Sequence, residues 1–305
     1  MENPVTTWHH IRTAWAEEQR AAGLSPRTID GRDAVLALLE RTGRTPLNIS
    51  KADMIMVLNR PNARTGEPLS PGTRQVERSY MQTWSRWMLE EGLRDDDPGA
   101  RLRKVKVPRR RPRPVTEQHI SLMLDHGYQS TRDMIVIGAL TGLRIGEIVK
   151  IAAVDIDWTT NTIRSIRKGG LDHIVHMPPA VQAIAQRRCA GGRWLFPSPY
   201  SNAQFPDGGG HILMKSASTS ICRVLRTAGI VDPKITGHSL RHYYATTLLR
   251  TGTNVRVVQE MMGHASLATT QLYLEVSDAE MSAAASALPF ISSRSTSGRT
   301  RRATA

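Results

Sequence analysis

His238 and Arg241 stand three residues apart in TGHSLRHYY, residues 236–244, and Tyr273 follows inside MMGHASLATTQLYLEV. On a helix, side chains three apart share a face. Arg144 comes just after a Thr-Gly pair that interrupts a helical pattern. Two arginines from different helices suit one phosphodiester. In-line displacement spreads extra negative charge over the non-bridging oxygens, and a planar guanidinium binds two oxygens at once. Losing one such donor costs about 3–4 kcal/mol, with oxyanion holes as the guide. The nucleophile is water or a side chain. Water usually needs a metal, and metal sites for phosphate chemistry need clustered carboxylates. The motifs offer no such pair: Asp155 and Asp157 lie in a strand context that suits turn and surface roles, and the histidines lack zinc spacing. A covalent tyrosine is then the option of interest. Tyrosine has a pKa near 10, so it requires a cationic field and a base to take its proton. His238, and His264 at the end of MMGH, are candidates for base and hydrogen-bond donor. Singly these signals are weak, because a lone tyrosine on an apolar face is usually core and a histidine before a helix is commonly a cap.

The balance of charge supplies a partner. The 305 residues carry a formal net charge of +14, an excess that favours an anionic surface, with a nucleic-acid backbone the usual one. Hydrophobic content of 40% and charged content of 22% are those of a globular chain. No apolar run approaches the roughly 18 residues that span a membrane, and MENPVTTWHH is not a secretory signal. Cys189 and Cys222 are the only cysteines, which excludes a disulfide framework and a Cys-rich zinc module and makes the cytoplasm the default compartment.

The elements that position these residues fall on either side of RLRKVKVPRRRPRP, residues 101–114, which has eight basic residues, three prolines and no acid. Proline blocks helix continuation and like charges extend the segment, so it reads as a phosphate-contacting linker. Residues 1–100 read as a bundle of four or more helices. Ser25-Pro26 and Ser70-Pro71 open two of them, Ser50 with Asp53 opens another, and Gly43 and Gly92 close two. Trp8, Ile11 and Trp15 share one helical face and, with Trp84 and Trp87, read as core. Residues 115–290 are mixed. TEQHISLMLDHG predicts a helix, TRDMIVIGALTGLRIGEIVKI predicts two helices broken near Thr141-Gly142, and VDIDWTTNTIRSIRKGGLDHIVHMP predicts a small antiparallel sheet. A Pro/Gly-rich loop, RWLFPSPYSNAQFPDGGGH, precedes further helices. The last of them begins at the capping box Ser277–Glu280, and residues 291–305 read as a basic disordered tail. The fold class is mainly α with a small antiparallel β-sheet, in two domains.

GHSLRHYYATTLLRTGTNVRVVQEMMGHASLATTQLYLEV resembles the C-terminal motif of the tyrosine recombinases, the phage integrase and Xer class. Its His-x-x-Arg, Gly-His and Tyr elements stand in family order and spacing. TGLRIGEI resembles the family's first-arginine motif, IRKGGLDHIVHMP its lysine-bearing hairpin, and LFPS the segment after it. The likeness covers residues 115–290, and the helical part before them resembles the family's core-binding domain. The resemblance implies Tyr273 as the nucleophile, leaving a 3′-phosphotyrosine and a free 5′-hydroxyl. It implies Arg144 and Arg241 as the phosphate clamp, Lys168 as general acid, His238 as the proton-handling residue and His264 as a donor to a phosphate oxygen. Glu147 matches a supporting position. The hairpin departs from the family in carrying Leu171, Asp172 and His173 where further basic residues often stand.

The resemblance further implies double-stranded DNA core sites as the partner and a homotetramer on two DNA sites. Host DNA-bending or directionality factors belong to the same expectation. No metal, cofactor or membrane is implied. The helix AEMSAAASALPF resembles the segment that docks on a neighbouring protomer, although packing on its own domain suits it as well. With about 100 residues ahead of the linker, the expectation is a recombinase without a separate arm-site domain. The leading reading is a phage or mobile-element integrase. The alternatives are a Xer-type dimer resolvase, a DNA-binding regulator that keeps the fold without the reaction, and a relaxing topoisomerase.

Overall fold

Short polar side chains ahead of apolar runs start the helices of the N-terminal part, as the sequence predicts. The computed structural model describes residues 7–108, 114–166, 170 and 172–263. Thr7, Ser25, Ser50 and Ser70 cap α1 (Trp8–Ala21), α2 (Pro26–Glu40), α3 (Lys51–Leu58) and α4 (Pro71–Glu90), each side-chain oxygen accepting a first-turn backbone N–H. Each cap stabilises its helix by about 1 kcal/mol. Pro26 and Pro71 occupy first-turn positions where a missing N–H is no loss.

These helices belong to the first of two compact units, Met1–Arg110, and the second is Arg111–Ala305. The first unit has its own core, in which Ile11, Leu36, Leu39, Met54, Met81 and Trp84 are closed to solvent. Trp84 stacks on Trp8 with ring centroids 5.6 Å apart, and Trp15 meets Trp87 at 6.1 Å. Arg60, just past α3, reaches Glu77 of α4 through both Nη atoms at 2.7 Å and so fixes one helix against the other. The basic segment after α4 starts docked on that helix. Leu102 is buried in the core, its carbonyl accepts from Arg78, and the Val105 N–H donates to Gln75 Oε1 at 3.0 Å.

The second unit is mixed. It contains α5 (Glu117–His126), α6 (Gln129–Thr141), α7 (Ile145–Ile148), β1 (Ile156–Asp157), β2 (Thr162–Ile166), β3 (Asp172–His176), α8 (Pro179–Cys189), α9 (Met214–Thr227), α10 (Gly237–Arg250) and α11 (Val255–Met262). The fold is therefore mainly helical with one small sheet. Its strands run antiparallel in the order β1-β2-β3, with Ile163 opposite both Ile156 and Val175. The strand alternation turns Ile163 and Val175 into the core and leaves Arg164, Ile166 and Ile174 outside.

α6 is the centre of this unit. Thr131, Asp133, Met134, Ile135, Ile137, Gly138, Ala139 and Thr141 are all buried, while the row Gln129, Arg132, Val136, Leu140 keeps some exposure. Even its Asp133 is buried, and that charge is met by Arg187 and Arg188 of α8, both at 2.7 Å. α8 itself is a helix that the sequence analysis above did not anticipate. The Pro178-Pro179 start and the Val181, Ile184, Ala185 spacing are its signal. The Pro/Gly-rich loop is more ordered than its composition suggests. Trp194, Phe205 and His211 pack edge to face, with His211 buried and its ring Nδ1 2.8 Å from the Ile212 carbonyl. Among the described residues no helix is long and apolar enough to cross a membrane.

Trp84 carries the packing of the first unit, so Trp84→Ala is expected to lower its stability by about 3–5 kcal/mol. Urea denaturation of the two proteins checks this, and a loss below about 1 kcal/mol would show that the tryptophan pairs are not the core.

Candidate active site

The site is built on the end of α6. That helix stops at Gly142, whose φ of +66° is left-handed and whose N–H returns to the Gly138 carbonyl. Thr141 completes the turn, donating to the Ile137 carbonyl at 2.6 Å and accepting the Leu143 N–H at 3.3 Å. The chain then restarts as α7 with Arg144 at the N-cap. Glu147 closes this short helix from within. One carboxylate oxygen accepts the Arg144 backbone N–H and the other accepts its guanidinium, both at 2.8 Å. Burial pushes the Glu147 carboxyl up, but the two hydrogen bonds from Arg144 and the charges of Arg144 and Arg241 outweigh it and hold the group below the usual carboxylate range. The Arg144 side chain stays 42% exposed, so its guanidinium is oriented by Glu147 while still reaching solvent.

α10 brings the second arginine. Thr236 caps it, accepting the His238 N–H, while Ser239 Oγ accepts the Thr236 N–H. Three close approaches seat this helix on α6 and α7. A Cβ added at Gly138 would lie 3.3 Å from Leu240 Cδ1, one at Gly237 would lie 3.0 Å from Ile145 Cγ1, and one at Gly142 would lie 2.4 Å from Tyr244 Cδ1. Gly138 and Gly142 are one turn apart, as are Leu240 and Tyr244, so two residues of one helix interlock with two of the other.

Arg241 lies inside this junction and is only 6% exposed. Its Nη1 donates to the Gly142 carbonyl and its Nη2 to the Met262 carbonyl, each at 2.5 Å. These carbonyls belong to the C-terminal ends of α6 and α11, where intrahelical acceptors run out and the helix dipole is negative. A buried cation is therefore matched to them, and each charged hydrogen bond contributes about 1.5–3 kcal/mol.

Arg144 and Arg241 are thus joined through one turn, since Arg241 holds the carbonyl of Gly142, two residues before Arg144. His238 is exposed in the first turn of α10, beside the Gly237–Ile145 contact. One turn further on, His242 is half-buried. Burial, and then the charges of His238 and Arg241, push its pKa below the ordinary histidine value, which keeps it neutral at neutral pH. Lys168, His264 and Tyr273 lie outside the described residues, the first between β2 and β3 and the others after Gly263. Sequence reasoning missed Tyr244 and the carbonyls that receive Arg241. The signal was the matching spacing of Gly138-Gly142 and Leu240-Tyr244, which becomes meaningful once α6 and α10 are paired.

The α6–α10 junction thus brings the two arginines of the sequence motifs to one turn. Residues 115–280 match the model of the phage integrase family. Tyrosine recombinase XerD of Pasteurella multocida is 30% identical over 284 residues, covering 87% of this chain and 91% of its own length. Tyrosine recombinase XerD of Yersinia pestis is 31% identical over 206 residues, covering 65% and 69%. Among solved structures, a lambda integrase dimer bound to a COC′ core site shares the fold with a TM-score of 0.69 at 17% identity, covering 87% of this chain and 94% of that one. A Tn1549 transposon integrase in complex with a circular intermediate DNA gives 0.67 at 20% identity, covering 92% and 99%. The chain belongs to the phage integrase family and is a tyrosine recombinase, an enzyme of site-specific DNA cleavage and rejoining.

Two outcomes follow from this geometry. Gly142→Ala puts a Cβ into the Tyr244 ring at a left-handed residue, so it should cost at least about 2 kcal/mol. Thermal melts test this, and an unchanged melting temperature would mean that the α6–α10 contact is loose. Glu147 has a depressed folded pKa, so its contribution is full above the unfolded value and is lost as pH falls through the folded one. The stability difference between wild type and Glu147→Gln should therefore be level above about pH 5 and shrink below about pH 4. Urea midpoints across that range would show the trend, and a difference that persists undiminished into acid would remove the charged cap as its source.

Proposed function

We propose that this recombinase is the integrase of a phage or mobile element, acting on core-type duplex DNA sites through a 3′-phosphotyrosine link at Tyr273. The observation that carries the reading is the pairing of Arg144 and Arg241 at the Gly142 turn, one guanidinium reaching solvent and the other locked behind it. Such an arrangement presents prepositioned positive charge to a phosphate, with no reorganisation required as the transition state forms.

In this reading Tyr273 Oη attacks the scissile phosphorus and the bond to the 5′-oxygen breaks. His238 takes the phenolic proton, Lys168 protonates the departing 5′-oxygen, and His264 donates to a non-bridging oxygen. A 5′-hydroxyl from a second strand then attacks the phosphotyrosine and releases Tyr273. Each step exchanges one phosphoester for another, so the bond energy is retained. Residues 1–100 serve as a core-type DNA-binding domain, 101–114 as a basic linker, 115–290 as the catalytic domain and 291–305 as a basic tail. The net charge of +14 supports a clamp around duplex DNA with strongly salt-dependent binding. A homotetramer on two sites, host bending or directionality factors, and a cytoplasmic location complete the proposal.

A Xer-type resolvase of chromosome or plasmid dimers is the second reading, favoured by the 30% identity to a XerD that extends over 87% of the chain. Both readings share the same first experiment. Nicked duplexes from candidate sites are incubated with wild type and Tyr273→Phe and run on a denaturing gel. The expected result is a covalent protein–DNA band that only the wild type forms. DNA that shifts on a native gel without ever giving that band would leave a binding protein with the recombinase fold.

A further inference from the structure

Tyr244 belongs to neither the arginine pair nor the histidines, yet it lies against one support of Arg241 and shares a buried cluster with the other. Its ring covers Gly142: a Cβ there would lie 2.4 Å from Cδ1, 2.9 Å from Cε1 and 3.1 Å from Cγ of that ring. Tyr244 also belongs to one buried cluster with Ala245, Val258 and Met262. Gly142 and Met262 are the two residues whose carbonyls accept from Arg241. The ring is 8% exposed and stands three residues after Arg241, on the same side of α10. Burial pushes the phenol pKa up and the charge of Arg241 opposes it, which agrees with a ring close to the guanidinium.

We propose that Tyr244 is a positioning residue for the phosphate clamp: packed on the Gly142 turn and clustered with Met262 at the end of α11, it sets the separation of the two carbonyls that hold Arg241. Its catalytic consequence rests on the function proposed above. The physical reason is rigidity. A guanidinium offers its donors in a fixed fork, so two carbonyls accept from it together only at one spacing. An aromatic ring is a stiff spacer, and a buried ring packed closely on a neighbouring backbone has few alternative rotamers. Removing the ring lets the Gly142 turn and the end of α11 approach. Arg241 then tilts, and with it the turn that presents Arg144. A shift of about 1 Å at such a site can lower the rate on the order of 100-fold.

The test compares full-length wild type, Tyr244→Ala and Tyr244→Phe, with Tyr244→Leu replacing the alanine variant if that one does not fold. Nitrogen-15 NMR of the Arg241 side chain, assigned through Arg241→Lys, reads the geometry directly. A hydrogen-bonded, exchange-protected guanidinium signal is expected in wild type and Tyr244→Phe and is lost in Tyr244→Ala. Single-turnover cleavage of a nicked duplex should fall on the order of 100-fold in Tyr244→Ala and stay within about threefold in Tyr244→Phe, with DNA affinity changed by less than about threefold in both. A duplex whose scissile phosphate is a neutral methylphosphonate lacks the charge that the clamp meets, so the alanine defect should shrink there to below about tenfold, which general loosening of the fold would not produce. A protected Arg241 signal in folded Tyr244→Ala, or cleavage within threefold of wild type, overturns the inference. A covalent adduct that survives Tyr273→Phe would instead remove the nucleophile proposed above and leave the Arg241 signal to decide the role of Tyr244.

Discussion

Arg241 is a cation withdrawn from solvent and held between the carbonyl ends of two helices. The C-terminal end of a helix is where acceptors are left over and the dipole is negative, so two such ends converging on one point would repel each other without a positive charge. The guanidinium resolves this by donating to Gly142 and Met262 together. That pair of bonds fixes where α6 ends relative to α11. It also fixes the first arginine, because Arg144 follows two residues after Gly142 and takes its own orientation from Glu147. The position of the residue after α11 follows from the same constraint, and the chain continues from there toward His264 and Tyr273.

This arrangement depends on backbone proximity that side chains would prevent. Gly138, Gly142 and Gly237 stand where α10 meets α6 and α7, and at Gly142 any Cβ would enter the Tyr244 ring. Small residues at helix contacts are often read as weak packing. Here they exchange side-chain area for a short distance between charged groups and carbonyls, and α6 recovers the apolar burial elsewhere, with Met134, Ile135, Ile137 and Ala139 buried. A central helix buried on most of its surface has little freedom to shift, which suits a turn that must present Arg144 in one orientation.

Electrostatics divides into two populations. Arg12, Arg60, Arg94, Arg187 and Arg188 are paired with carboxylates and stabilise their own units. These ion pairs meet only part of the positive charge, and the formal excess of +14 remains for a polyanion. The phosphate-facing role proposed for Arg144 fits between these populations: it is half exposed and paired with a carboxylate that orients it without enclosing it.

By itself the sequence determined whatever depends on neighbours within a turn. Ser25, Ser50 and Ser70 start their helices, the Thr141-Gly142 break separates α6 from α7, and the alternating run from Val154 to Pro178 folds as the antiparallel sheet. Trp8, Trp15, Trp84 and Trp87 are core, as their helical spacing predicts. The arginines were legible as a pair, since their residue type and the motifs around them pointed to phosphate. Only the tertiary structure decided how they are joined. The Arg241–Gly142 bond spans 99 positions, and no local propensity encodes it. The same is true of Asp133 with Arg187 and Arg188, and of the ring of Tyr244 on Gly142. Hydrogen bonds that close within a turn can be read from adjacent residues. Those that close between helices exist only after the packing has chosen which faces meet.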